Sequence, residues 1–189
     1  MTTLVETDRL QLREFGAHDL DELAAMVADE EQMTFYPRPK SREEAAAWIS
    51  WNLALYEERG FGSWLVASRA TSQFLGYCGI RPLTLHGASE IEIAWHTKKT
   101  SWNHGIATEA AAATRDLGFA RFRLRRLIAV IHPAHLASRR VAEKIGMEPE
   151  TTTIVDEDYP AVIYAIAPST SVATPATKRA TAALSRRSI

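Results

Sequence analysis

Residues 90–110 read EIEIAWHTKKTSWNHGIATEA, and no other stretch restricts the fold of this chain as much. From Glu90 to His96 the side chains alternate, with Ile91, Ile93 and Trp95 on one face and Glu90, Glu92, Ala94 and His96 on the other. That period suits a half-buried strand. After a polar turn holding one glycine, Gly105, the pattern becomes that of a small-residue helix, expected from about Ala107 to Phe119. A turn that feeds directly into a helix leaves the first N–H groups of that helix unpartnered and partly positive. It is either a plain capping device or an anion site. GxxxxGK[ST] and GxGxxG are both absent, so the turn is neither a P-loop nor a dinucleotide fingerprint. Gly105, Ala107 and the alanines after Glu109 keep side chains out of the way, so backbone N–H groups from 103 to 108 could close on a diphosphate.

The rest of the chain supplies a sheet for this unit. RLQLREF (9–15), the SWLVASR and FLGYCGIR pair around a short polar ATSQ, RLIAVI (126–131), and segments near 151–156 and 161–167 read as strands. Asp19 with Glu22 marks a helix start, with Leu20, Leu23, Ala24 and Val27 on one face. Ser41 and Glu44 form a capping-box pattern for a second helix that stops near Gly60. ASRRVAEKIG reads as a helix with Val141 and Ile145 inward and Gly146 as its stop. The expected order is β-α-α-β-β-β-α-β-α-β-β. The fold class is α/β in the α+β sense: a mixed, mostly antiparallel central sheet flanked by helices. A domain over residues 1–167 is expected, followed by a Ser/Thr/Ala/Pro-rich basic tail over 168–189 that is expected to be disordered.

Composition excludes several classes of function. A net charge of −1 gives no bulk basicity for nucleic acid or a membrane surface. Four cations (Lys178, Arg179, Arg186 and Arg187) lie in the tail, which leaves the body at −5. Cys78 is the only cysteine, which precludes an intrachain disulfide and suits a reducing compartment. Glu6 and Asp8 interrupt any apolar signal segment, and no run approaches the roughly 18 apolar residues of a membrane span. A cytoplasmic protein, monomer or homodimer, is expected. His96, His104, His132 and His135 lack cysteine partners and the spacing of a zinc site, so no metal is expected. Trp48 and Trp51, with the aromatic FYP segment, suit either an acceptor pocket or core packing.

Together, EIEIAWHTKKTSWNHGIATEA, IHPAHLASRRVAEKIGME and the opening TDRLQLREFGAHDLDEL resemble the GNAT acetyltransferase superfamily. They are most similar to its branch of ribosomal-protein N-terminal acetyltransferases of the Rim type. The resemblance runs from about Thr7 to Ala167. It implies that the backbone of Asn103, His104, Gly105, Ile106, Ala107 and Thr108 cradles the pyrophosphate of acetyl-CoA. It also implies that the strand end from Trp95 to Thr97 meets the pantetheine arm, where the sheet splays. Asn103 stands where the family usually has glycine, His104 where a basic residue is common, and His135 where asparagine is usual.

Forming an amide from a thioester needs a neutral amine, a polarised carbonyl and a departing thiolate. Glu92 matches the strand carboxylate of the branch and could take the amine proton, with Glu90 on the same face as the alternative. Many relatives carry a leaving-group tyrosine where this chain has Ala142, which leaves Ser138 as the hydroxyl that could serve the thiolate. A thiol of pKa about 8.5 departs near neutrality with little protonation. The expectation is an acetyl-CoA-dependent N-acetyltransferase acting directly on a primary amine, such as a protein or peptide N-terminus. The alternatives are a small-molecule amine (amino acid, polyamine or aminoglycoside), a non-catalytic acyl-CoA-binding module, or an interaction protein using its basic tail.

Overall fold

The computed structural model describes residues 3–155 and 158–168. Residues 169–189, almost all of the expected basic tail, lie outside the described residues. In chain order the elements are β1 (Thr3–Glu6), β2 (Leu10–Arg13), α1 (Leu20–Ala28), α2 (Arg42–Arg59), β3 (Ser63–Ser68) and β4 (Phe74–Leu85). There follow β5 (Ala88–Thr97), α3 (Ile106–Ala120), β6 (Leu127–Ile131), α4 (Leu136–Lys144), β7 (Glu148–Val155) and β8 (Tyr159–Ile166). They build an eight-stranded sheet in the order β1-β2-β3-β4-β5-β6-β8-β7, antiparallel throughout except where β5 meets β6.

The strand β1 precedes the expected order. TLVE alternates weakly, with none of its residues fully buried, and it is held at the sheet edge by pairing with β2. The last two strands begin earlier than their apolar pattern suggests, β7 at Glu148 and β8 at Tyr159. Backbone pairing carries β7 through residues that are mostly exposed.

Local chemistry accounts for most boundaries. Ser41 accepts from the Glu44 N–H while the Glu44 carboxylate accepts from the Ser41 N–H, so the capping box forms and α2 runs to Gly60. Asp19 is the N-cap residue of α1, where the sequence places a helix start, but its side chain makes no capping bond. Its carboxylate takes two bonds from the Arg13 guanidinium, at 2.6 and 2.8 Å, and one from the Gly16 N–H. Asp19 therefore ties the end of β2 to α1 rather than capping with Glu22, and these donors hold its carboxyl below the usual range against the opposing effect of burial.

Helices cover both faces of the sheet. One core joins α3 and α4 to it through Ile106, Ala110, Ala111, Ala142 and Ile145, packed with Trp64, Ile80, Ile93, Leu127 and Tyr164. Val141 is only half-buried, whereas Ala142 is fully buried. The opposite face packs α1 and α2 through Leu23, Met26, Val27, Ala45 and Ile49 against Leu65, Phe74 and Tyr77. Trp48 joins this second core, edge-on to Phe15 and tilted on Tyr77, while Trp51 is exposed.

Gly79 marks a close approach of β4 to the start of β3. A Cβ there would lie 2.3 Å from both the Gly62 carbonyl oxygen and the Ser63 Cα. Gly79→Ala should therefore destabilise the protein by about 1–3 kcal/mol, the cost of overpacking. A melting temperature several degrees below wild type in calorimetry would match this expectation, and an unchanged one would contradict it.

Candidate active site

The turn between β5 and α3 is built around alternating left-handed residues, Asn103 at φ 62° and Gly105 at φ 76°. Asparagine tolerates that region better than most side chains, and glycine enters it without cost. Gly105 is the N-cap of α3, and the first helical bond runs from the Glu109 N–H to the Gly105 carbonyl. The N–H groups of Ile106, Ala107 and Thr108 precede that bond, so they end the helix as free donors. Together with the backbone of Asn103 and His104 they form a concave set of donors suited to an anion.

This nest is braced from the first hairpin. The Glu109 carboxylate accepts from the Thr7 hydroxyl at 2.5 Å, the Arg9 N–H at 3.1 Å and Arg9 Nε at 2.6 Å. Arg9 also donates to the His104 carbonyl at 2.9 Å. A guanidinium therefore sits beside the turn, near the position where His104 replaces a basic residue. On the other side Trp102 Nε1 donates to the Thr97 carbonyl at 2.9 Å.

Immediately before the nest, β5 leaves its neighbour. It pairs with β6 only at Glu92↔Ile128, while its pairing with β4 continues to Thr97↔Gly76. The β6-facing edge of β5 beyond Glu92 therefore has no strand partner, and of its backbone groups the Thr97 carbonyl is taken by Trp102. Trp95 and Thr97 lie on this stretch, Trp95 half-buried and Thr97 buried.

Both carboxylates proposed from the sequence are engaged. Glu92 is buried and its Oε2 accepts from Arg81 Nε at 2.6 Å, directly across the β4–β5 pair. Glu90 lies 3.3 Å from Arg126, which holds Glu150 as well. Thus Glu92 is a carboxylate fixed in place by a cation, and Glu90 belongs to a network leading toward β7. The alternation had put only the Ile91, Ile93 and Trp95 face inward, yet Glu92 and His96 are also covered. The reason is the connection between α1 and α2, residues 29–41, which lies over this face. Tyr36 stacks on His96 with ring centroids 5.3 Å apart, and Phe35 stacks on His135 at 4.2 Å. The Tyr159 hydroxyl donates to the Phe35 carbonyl at 3.0 Å. The ring of Tyr36 is partly exposed, but its hydroxyl reaches in toward Tyr77, Arg81 and Glu92, where desolvation raises its pKa well above the usual phenol value.

Ser138 lies half-buried in the first turn of α4, which follows β6 across the splay from β5. Tyr164 is fully buried behind it, accepting from Arg139 Nε and donating to Glu143, both at 3.1 Å. Cys78 is buried with its thiol pushed up to about 12 by desolvation, which makes it a poor nucleophile. Among the described residues no group of three or more His, Cys, Asp or Glu is placed to hold a metal ion. No described helix is long and apolar enough to cross a membrane.

Residues 9–148, most of the chain, match the acetyltransferase (GNAT) domain family. The chain belongs to the GNAT acetyltransferases. YkkB of Bacillus subtilis (strain 168) is 34% identical over 163 residues, covering 86% of this chain and 94% of that protein. The GNAT-family acetyltransferase from Bacillus anthracis superposes with a TM-score of 0.74 at 26% identity, over 86% of this chain and 97% of that one. RimL, a ribosomal alpha-N-protein acetyltransferase solved with coenzyme A, is similar in fold, with a TM-score of 0.72 at 18% identity. The match covers 88% of this chain and 98% of RimL. The family uses acetyl-CoA, and this GNAT member is an acetyl-transferring enzyme.

The site of this acetyltransferase contains groups that sequence reasoning did not assign: Arg9, Tyr36, Tyr77, Arg81 and Tyr159. One signal was available. His86 and Gly87 form a two-residue turn with both φ values positive, and counting outward from it sets Arg81 opposite Glu92 and Tyr77 opposite His96. The aromatic cover from residues 33–40 had no comparable signal, because it depends on how α1 and α2 pack.

Burial makes the stability of this GNAT enzyme acid-sensitive. Desolvation lowers the His96 pKa from 6.5 to about 4, and His135 is lowered for the same reason. Between those two values the unfolded chain binds more protons than the folded one, so stability is lost as the pH falls. At ~1.4 kcal/mol per pKa unit, His96 alone accounts for a loss on the order of 3 kcal/mol across the window from 6.5 to about 4. Denaturant titrations should show that slope, flattened in His96→Asn. Equal slopes in the two proteins would contradict the burial argument.

Proposed function

We propose that this protein transfers the acetyl group of acetyl-CoA directly to a primary amine, and that its acceptor is a protein or peptide N-terminal α-amine. The observation that carries the reading is the conjunction of the β5–β6 splay with the donor nest at α3. In this reading the N–H groups from Asn103 to Thr108 hold the pyrophosphate, with Arg9 adding positive charge at the rim. The backbone from Trp95 to Thr97 takes the pantetheine arm, which brings the thioester into the splay. Ser138, on the facing helix, donates to the departing thiolate.

Glu92 receives the acceptor. Its Oε2 is taken by Arg81, and its Oε1 has no hydrogen-bond partner among the described residues. A carboxylate oxygen held in that way suits the N–H groups of an incoming amine. The chemistry favours an α-amine, whose pKa of about 7.7–8.0 leaves far more neutral nucleophile at pH 7 than a lysine side chain at about 10.4. A site whose carboxylate is already bound to a guanidinium has modest means of stripping a proton from a strongly basic amine. The fold shared with RimL agrees with this choice.

Ala107→Asp, which sets a carboxylate against the phosphates, should raise the Kd for acetyl-CoA at least tenfold (about 1.4 kcal/mol) with the melting temperature preserved. Calorimetry giving an unchanged affinity in the folded variant would reject the nest as the cosubstrate site. For the acceptor, thiol release should be faster with a peptide bearing a free N-terminus than with the same peptide blocked there but containing lysine. Preference for the blocked peptide, or for an aminoglycoside over both, would overturn the α-amine assignment.

A further inference from the structure

Of the N–H groups a guanidinium carries, Arg81 uses one. Its Nε donates to Glu92 Oε2 at 2.6 Å, and neither Nη nitrogen has a hydrogen-bond partner among the described residues. On Glu92, Oε1 is equally unpartnered. Arginine and a carboxylate frequently close with two parallel bonds, whereas this pair stays open at both ends. The open ends are also reachable. The Arg81 side chain is 29% exposed. Among the described residues that are not exposed, the side-chain atoms sealed from solvent without a partner are those of Ser63, Trp64 and His96, so Oε1 and the Nη groups keep accessible surface. A half-buried guanidinium with unused donors, beside a carboxylate with an unused acceptor, is uncommon and calls for a ligand.

Tyr36 and Tyr77 bring their hydroxyls toward this pair from one side. In the other direction, toward the His86–Gly87 turn, the same face of the sheet continues through Leu83 and Leu85 on β4, and across β6 and β8 through Val130 and Tyr159. These four side chains are only half-buried, packed around Ile128, Ala161 and Ile163. A polar head with one acceptor and one set of donors therefore borders a partly open apolar floor.

We propose that Arg81 sets acceptor specificity: with the amine on Glu92 Oε1, the Arg81 Nη groups donate to a carbonyl oxygen carried on the next carbon but one, so the site selects an α-amino carbonyl group. The inference rests on the acetyl-transfer reading above and deepens it, since lower basicity is then not the sole reason for choosing an α-amine. An amine offers N–H groups and needs an acceptor, while a carbonyl oxygen accepts and needs a donor; Glu92 and Arg81 supply one of each. In the first residue of a peptide the two groups belong to one short unit, N–Cα–C=O, compact enough to bridge both partners of a single ion pair. A lysine side chain or a polyamine carries no oxygen beside its amine and leaves Arg81 unpaired. A free amino acid carries one, but it sets a second carboxylate beside Glu92, and like charges repel. The neutral carbonyl of a peptide avoids that repulsion, and the half-buried Leu83, Val130 and Tyr159 offer the first side chain apolar contact.

The test follows thiol release from acetyl-CoA with alaninamide, β-alaninamide, isopropylamine and alanine, each kcat/KM expressed per neutral amine, in wild type and in Arg81→Lys. β-Alaninamide moves the carbonyl one carbon further from the amine, and isopropylamine removes it. Wild type should favour alaninamide over both by about tenfold or more, the contribution of a hydrogen bond to a charged donor, and should also favour it over alanine. The more basic amines are the stronger nucleophiles per neutral molecule, so chemistry alone gives the opposite order. Arg81→Lys keeps a cation beside Glu92 but loses the fork of donors, so the preference for alaninamide should fall to about threefold or less while the Kd for acetyl-CoA stays within about threefold of wild type. An Arg81 that merely supports the sheet would change the rates with all four acceptors alike and leave their ratios intact. Equal wild-type values for alaninamide, β-alaninamide and isopropylamine, faster turnover of alanine than of alaninamide, or wild-type ratios preserved in Arg81→Lys would overturn the assignment to Arg81. The wild-type comparison decides even where the variant does not fold. Wild-type protein that binds acetyl-CoA but releases no thiol with any amine would instead overturn the transfer reading, and this inference with it.

Discussion

The β4–β5 hairpin is the constraint on which the site depends. Its register runs unbroken from Leu85↔Ala88 at the turn to Gly76↔Thr97 at the far end. A strand that abandons one neighbour must find its backbone partners elsewhere, because an unpaired buried ladder is costly. The continuous pairing with β4 meets that need on one edge, so β5 can leave β6 after a single pair and keep its extended conformation. The other edge is then left without a strand partner beyond Glu92. The same register brings Arg81 to Glu92 and Tyr77 to His96, so one turn at His86–Gly87 aligns both the parted edge of β5 and the face that carries Glu92 and His96.

A second set of contacts converts this edge into an enclosed site. The α1–α2 connection is pinned at Lys99 by Asp29, at His96 by the Gln32 carbonyl and at Tyr159 by the Phe35 carbonyl. These contacts reach β5 on one side of the splay and, beyond β6 on the other side, β8. The aromatic rings they carry lower the local dielectric. That sets the direction of the His96 shift and makes any charge–dipole interaction there stronger than it would be in water.

The sequence made the scaffold legible to different degrees. Ser41 with Glu44, Gly105 before the small-residue helix, and the polar turn between β3 and β4 each act locally, so their consequences could be read from the residues themselves. The strand β1 escaped notice because its four residues bury little and persist through pairing alone. Asp19 does mark the start of α1, but its carboxylate serves Arg13 of the preceding strand, a partner that local sequence does not reveal. The donor nest was legible for the same local reason as the caps. The surroundings of Glu92 and His96 were not, because each depends on a residue across the sheet or on a connection folded over it. Alternation identifies which side chains share a face, but it does not say what covers that face.

The central claim is that the parted edge of β5 and the nest at α3 act as one continuous seat for acetyl-CoA. Amide hydrogen exchange, measured with and without acetyl-CoA, reads those N–H groups directly. The account predicts that acetyl-CoA slows exchange of the backbone from Trp95 to Thr97 and from Asn103 to Thr108 together, with the β4 partners little changed. Unaltered exchange at both segments under saturating acetyl-CoA, with protection appearing elsewhere in the chain, would contradict it.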